Sequence, residues 1–482
     1  MSCLRLDQIN IDGVNVDALE STLETEVVMS SNPFESQIAA GVPGADDPAI
    51  AYVGDGALPS AFAVTDFASA GIAAAGREVA RLAGVREVEV DRVLASMWFA
   101  SSISPIGWQL PAVWDPIAGD YAAANGWIRL HTNAPHHRAA ALLVLDCAED
   151  RASVASAVAE RRIDDLETAV VEAGGAAAAM RDRAAWQNHP QGHAVDQEPL
   201  VAHRAAESSV PWAWEPSPDR PLHGIRVLDL TRILAGPVAT RFLAGYGADV
   251  LRIDPLDWDE PSVAPDVTLG KRCARLDLRS DSGRACLGDL IREADVFVHG
   301  YRSDALARLG FDEAVRRELN PSLIDLALDA YGWTGPWSTR RGFDSLVQMS
   351  CGIAHAGMEA AGVSKPTPLP VQALDHAAGY LLASAAVRGV NERLCAGTGS
   401  TWRVSLARVA CLLMDGPSGS FEDTLDGATP QRYDVREHTP YGDLYRLPAP
   451  LRIPGIECRW DRPATTLGSS DPSFLPRRGG LS

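Results

Sequence analysis

Between residues 222 and 330, short apolar runs of strand period alternate with amphipathic stretches of helical period. GIRVLDL, ADVLRID, CARLDL, ADVFVHG and SLIDLALDAYG read as five strands, and AGPVATRFLAGYG, GRACLGDLIREA and FDEAVRREL between them as helices. Strands joined by helical crossovers predict a doubly wound parallel sheet in an α/β fold. Residues 126–205 alternate more briefly and predict a second, smaller α/β domain. In it GWIRLHT is a strand, and PHHRAAALLVL is a helix with Asn133 and Pro135 at its start. RIDDLETAVVEAGG is a further helix, closed by Gly174 or Gly175. A Pro- and Ser-rich stretch at 206–221 is the expected linker, and 222–414 the large domain. Residues 415–482 read as a polar loop and tail, and residues 1–50 carry little periodicity.

A weak repeat relates residues 57–82, ALPSAFAVTDFASAGIAAAGREVARL, to residues 367–394, TPLPVQALDHAAGYLLASAAVRGVNERL. Each has Leu-Pro, then an Asp, then a helix of small residues, followed by a strand and a helix. Asp66 aligns with Asp375, although the Leu-Pro to Asp spacing differs by two residues. Residues 1–125 therefore read as an irregular N-terminus plus a partial duplicate of the Asp-helix region. Both acids head otherwise apolar runs, a placement that suits a helix N-cap as well as a reactive carboxylate.

Composition narrows the chemistry. A net charge of −20 argues against nucleic acid or an anionic membrane as partner, and requires a local basic pocket for any anionic ligand. No apolar run reaches the length of a membrane span, and the eight cysteines are scattered without a CxxC pair, as in a reduced cytoplasmic protein. The first strand–helix turn, LDLTRILAGPVAT, lacks GxGxxG, which disfavours a nicotinamide dehydrogenase. His131, His136 and His137 cluster in HTNAPHHR, but no acid or Cys is spaced to complete a metal site; contact with an anionic substrate is the other reading.

Five segments, taken in order, resemble the class III coenzyme A transferases, the family of formyl-CoA transferase and carnitine CoA-transferase. They are residues 221–254, GKRCARLDLRSDSGRA (270–285), ADVFVHGYRSDALARLGF (294–311), YGWTGPWSTRRGFDSLVQMSCGI (331–353) and the Asp375 stretch. Segments resembling the family's small domain precede the large domain here instead of following the catalytic region, as in a rearranged or partly duplicated member. The resemblance implies a CoA-binding sheet domain and an acyl-CoA:carboxylate CoA-transferase, with acyl-CoA and a carboxylic acid acceptor as substrates. It implies no prosthetic group, and a homodimer. It makes Asp375 the nucleophile, with helix N–H groups facing the developing oxyanion and Ala377, Ala378 and Gly379 leaving room for the thioester. Lys271, Arg272, Arg302 and Arg308 match positions near the nucleotide of CoA, and Phe343 stands where transferases carry Tyr near the thioester. Related racemases carry a His at that position, and Phe transfers no proton, so racemisation or isomerisation is the disfavoured alternative. A non-catalytic acyl-CoA-binding relative is the other. Asp344 is expected to cap or orient its loop, and Asp66 to be structural.

Overall fold

The computed structural model describes residues 32–41, 47–302, 304–425 and 435–477. Residues 1–31 of the expected irregular N-terminus and 426–434 of the expected polar loop lie outside them. Strand β1 (Ala49–Val53) leads through the helix Val64–Leu82 into β2 (Glu87–Asp91), with which it pairs in parallel. The helix Arg92–Ala100 and β3 (Ile103–Pro105) follow. Next, β4 (Gly119–Ala123), β5 (Gly126–Leu130) and β6 (Ala177–Ala179) make a small antiparallel sheet. The helices Pro135–Leu145, Arg151–Ala159 and Ile163–Glu172 close an apolar core over it, including Ile128, Leu130, Val154 and Val170. The β4–β5 hairpin turns between Ala123 and Gly126, so this sheet begins before the boundary expected at 126. Pro135 is the first helical residue, but Asn133 accepts from Asp115 N instead of capping the helix.

Strand β7 (Ala202–Ser209) adds to the edge of the main sheet, so the expected linker at 206–221 starts as paired strand. Strands β8 (Arg226–Leu230), β9 (Asp249–Asp254), β10 (Arg272–Arg275), β11 (Val296–His299), β12 (Ile324–Asp329) and β13 (Thr398–Ser405) complete it. The order is β10-β9-β8-β11-β12-β13-β7, parallel throughout except for β7. All five strands read from the pattern are present, each buried along most of its length because helices cover both faces. The order reverses between β8 and β11, and the crevice at their C-terminal ends is where open α/β sheets bind ligands. The tail then returns to the N-terminal region. Strands β14 (Val435–Thr439) and β15 (Gly442–Arg446) form a hairpin on β3, and β16 (Leu451–Arg452) pairs with β2. The polar loop expected up to residue 440 is thus strand from Val435.

The repeat is visible in the backbone. Ala63 (φ −74°, ψ 64°) precedes the helix Val64–Leu82, and Gln372 (φ −78°, ψ 65°) precedes the helix Ala373–Ala396. Each is the centre of an inverse γ-turn, closed by Val64 N donating to Phe62 O and by Ala373 N donating to Val371 O, both at 2.8 Å. Asp66 and Asp375 are each the third helical residue. The two helices pack together through small residues: a side chain at Gly71 would meet Ala377, and Ser384 Oγ donates to Ala74 O at 3.2 Å. On its other side the longer helix meets the helix Ala235–Gly245, where a Cβ at Gly379 would lie 2.5 Å from Ala235 O. Of the small residues after Asp375, Ala377 and Gly379 serve close helix packing.

Gly379→Ala is expected to destabilise the fold. Alanine gains about 1 kcal/mol of helix propensity, but its methyl meets a backbone oxygen that has no rotamer to escape into. A net loss of about 1–3 kcal/mol in urea unfolding is expected; an unchanged or increased midpoint would contradict this packing.

Candidate active site

Asp375 is 8% exposed, and no side chain or backbone group among the described residues hydrogen bonds or pairs with its carboxyl group. It is not the N-cap of its helix. The capping carboxylate is Asp344, whose Oδ2 accepts from Leu374 N at 2.9 Å and Asp375 N at 3.0 Å. Asp344 is itself in the first turn of the helix Asp344–Cys351, so one acid ties two helix starts together and leaves the other free. This is the capping role expected for Asp344, exerted on a different helix from its own.

The two carboxyl groups are buried together, and burial raises the pKa of both; each also repels charge on the other. Asp344 is compensated by Gln348 Nε2, at 2.5 Å, and by the two backbone N–H groups. Asp375 has no such donor, so Asp344 ionises first and Asp375 holds its proton well above the usual carboxylate range. The helix N–H groups expected to face an oxyanion are already engaged: Ala373 N with Val371 O, Leu374 N and Asp375 N with Asp344, and His376 N with Gln372 O.

Phe343 precedes Asp344 and packs against the small α/β unit. Its ring stacks on His131 with centroids 3.8 Å apart and planes 2° apart, and meets His137 edge-on at 5.9 Å. Burial keeps these imidazoles neutral, pulling His131 down to about 4 and His137 to about 3. Close by, three arginines converge. Arg341 is destabilised as a cation by burial and then by Arg302 and Arg232, and the same Arg341 and Arg232 act on His136. Arg232 lies over the rings of Trp258, at 4.7 Å, and Tyr301, at 5.0 Å. Arg341 donates to Gly174 O at 2.6 Å, and its neighbour Arg340 pairs with Glu167 at 2.9 Å, which pins this loop to the small unit. Among the described residues no carboxylate pairs with Arg232, Arg302 or Arg341.

Arg232 belongs to the turn after β8 and Arg302 to the turn after β11, the two sides of the switch-point crevice. The first turn is strained: Ile233 has φ 66°, rare for a β-branched residue, and is held by its N–H donating to Glu260 Oε2 at 2.9 Å. Gly236 is required there, because a Cβ would come within 2.3 Å of Thr231.

The other expected phosphate contacts are not free. Lys271 is wholly buried, and its Nζ donates to Asp229 Oδ2 at 3.0 Å, Pro237 O at 2.9 Å and Thr240 Oγ1 at 2.6 Å. An ammonium has three donors, and all three are used inside the core. Arg272 forks onto Asp249 at 3.0–3.2 Å and also donates to Ser473 O. Arg308 is exposed and pairs with Asp304 one helical turn away. Of the four expected cations only Arg302 is near enough to the arginine cluster to act on Arg341, and it has no carboxylate partner among the described residues. Arg232 and Arg341 were not singled out from the sequence, although the switch-point rule applied to LDLTR points to the first. Asp66 has a partner, Arg92 at 2.9 Å, and lies apart from the arginine cluster.

Residues 222–447 match the family model described as CoA-transferase family III. An acetyl-coenzyme A transferase of Hypoxylon pulicicidum is 37% identical over 216 residues, 42% of this chain and 36% of that protein. A succinate–glutarate CoA-transferase of Agrobacterium fabrum is 36% identical over 157 residues, 29% of this chain and 39% of that protein. The chain thus spans well under half the length of these curated relatives. A crystal structure from Mycobacterium tuberculosis is 31% identical, over 40% of this chain and 56% of that one, with a TM-score of 0.36. The stretch that matches this family model, residues 222–447, carries Asp375, Asp344 and the three arginines.

Proposed function

We propose that the protein is an acyl-CoA:carboxylate CoA-transferase with Asp375 as its nucleophile. The observation that carries this reading is a buried, unpartnered carboxyl group at the third position of a helix whose capping is done by another acid. An Asp375 oxygen attacks the thioester carbonyl, the C–S bond breaks, and CoA leaves as thiolate, giving an acyl–aspartyl anhydride. The thiolate attacks the aspartyl carbonyl and expels the donor carboxylate, leaving an aspartyl–CoA thioester. The acceptor carboxylate opens that thioester to a second anhydride. The thiolate then attacks the acceptor's acyl carbon, releasing the new acyl-CoA and restoring Asp375.

In this reading the phosphates of CoA lie against Arg232, Arg302 and Arg341, three cations whose mutual repulsion an anion relieves. Phe343 is the apolar floor beside the thioester; with no proton to give or take, it favours acyl transfer over α-proton exchange. Assembly as a homodimer belongs to the same reading and rests on the family likeness; a cytoplasmic setting rests on the scattered cysteines. No helix among the described residues is long and apolar enough to cross a membrane.

Incubation with a donor acyl-CoA is expected to leave an adduct on Asp375 that hydroxylamine traps and mass spectrometry locates. Asp375→Asn abolishes adduct and turnover, whereas Asp66→Asn keeps most of the activity. Active Asp375→Asn protein would end the proposal. Arg341→Gln is expected to weaken CoA binding by about 1.5–3 kcal/mol, the range for hydrogen bonds to charged groups; unchanged affinity by calorimetry removes Arg341 from the phosphate site.

Protonation sets a further expectation. Attack requires the ionised acid, so adduct formation rises with pH through the elevated pKa of Asp375 and levels off above it. The fold binds this proton more tightly than the unfolded chain, whose aspartates titrate near 3.8. Wild-type stability relative to Asp375→Asn therefore falls as pH rises from about 4 until Asp375 ionises in the fold. A stability difference that is flat or opposite in slope, measured by urea unfolding across that window, contradicts the raised pKa.

A further inference from the structure

A second site lies on the other face of the main sheet. Along β11, β12 and β13, residues Val296, Val298, Leu326 and Trp402 face the core that contains the Asp375 helix. Strand alternation turns His299, Asp325, Thr401 and Arg403 to the opposite face, together with Phe297, which belongs to a separate core. There they line a cavity of about 160 Å³, closed by Arg302, Trp333 and the short helix Glu313–Leu319. Asp375, Asp344 and Phe343 are not in its wall.

Most charges in this wall are matched within the protein. Arg316 holds Asp325 Oδ2 at 2.8 Å, and Arg403 holds Glu313 at 3.2 Å. Four groups are left over. His299 is 7% exposed; its Nε2 and Asp325 Oδ1 face each other at 3.4 Å, a long contact that falls short of a well-formed hydrogen bond, and Nδ1 has no partner. The indole N–H of Trp333 has no acceptor, and Arg302 pairs with no carboxylate among the described residues. Burial keeps His299 neutral, so it offers one N–H and one lone pair. A buried polar atom left unbonded is costly, so several of them around one cavity describe a complement. The Trp333 N–H, a His299 N–H and the Arg302 guanidinium ask for carboxylate oxygens. Asp325 Oδ1 and the second His299 nitrogen ask for a hydroxyl proton.

We infer that this cavity binds a small hydroxycarboxylate, at a site separate from Asp375 that shares Arg302 with the proposed CoA phosphate contacts. The probe is L-malate, with succinate as the same skeleton lacking the hydroxyl, titrated into the full chain by calorimetry. Saturable binding of malate is expected, at least tenfold tighter than succinate. His299→Phe and Trp333→Phe are each expected to weaken it at least tenfold, and Asp375→Asn to leave it unchanged. Trp333→Phe removes little more than one N–H from the wall and decides the matter if His299→Phe does not fold. Absence of saturable binding makes the cavity a water-filled void and overturns the inference. Equal affinity for succinate overturns the hydroxyl requirement. Binding that survives both wall substitutions, or is lost in Asp375→Asn, places the acid elsewhere and overturns the site.

Discussion

The Asp344 carboxylate, accepting from the backbone of Leu374 and Asp375, is the contact on which the candidate active site depends. A helix start needs acceptors for its first N–H groups, and an acid at the third position often supplies one itself. Here the need is met from another helix, so Asp375 keeps its oxygens free in a place that water barely reaches. The same contact fixes Phe343, because the residue that stacks on His131 is the immediate neighbour of the capping acid. The small α/β unit, the Asp375 helix and the turn bearing Arg341 therefore share one anchor. Removing that carboxylate would release two backbone donors and also reduce the repulsion that keeps Asp375 protonated.

A second buried acid organises the opposite wall. Asp229, at the end of β8, accepts from Thr231 N, Thr231 Oγ1, Thr240 Oγ1 and Lys271 Nζ. It joins the strained turn, the helix after it and the approach to β10. Lys271 outside the core would be one more surface cation on an acidic protein. Inside, it offsets a carboxylate that would otherwise be unaffordable, since breaking a buried pair costs about 3–5 kcal/mol. Its buried place is thus accounted for by architecture: it helps to shape the crevice flanked by the turns that carry Arg232 and Arg302.

The doubly wound sheet was legible because parallel strands buried on both faces read as largely apolar runs. Strand β11 does so outright, and in β8, β9 and β12 a single charged residue interrupts the apolar stretch. Strand β7 was not legible: AHRAAESS is polar and mostly exposed, and becomes strand only because the edge of β13 offers it a ladder. Strands β14 to β16 likewise depend on partners, β3 and β2, more than three hundred residues away in the chain. That Asp375 heads an apolar helix was readable in sequence. Which cations stay without a carboxylate partner was not, because a motif records that a cation is present, not which way it points. Lys271 and Arg272 point inward, whereas Arg341 gains its place from a loop pinned through Arg340 to Glu167.

The repeat sharpens this distinction between backbone and charge. The same inverse γ-turn launches both helices, and the same third position carries an acid in each, so local conformation assigns Asp66 and Asp375 equal roles. Their neighbours do not. Burial raises the pKa of Asp66 as well, but Arg92 opposes that rise and pairs with one of its oxygens. Asp375 meets Asp344, which opposes its charge, and no cation pairs with it. A carboxylate locked to a guanidinium is a poor nucleophile, because attack must first break the pair; one that is buried and unpartnered has only a proton to lose. On the proposed function, reactivity follows from which charge stands opposite the helix start, and the copy with Asp344 in front of it is the one proposed to react.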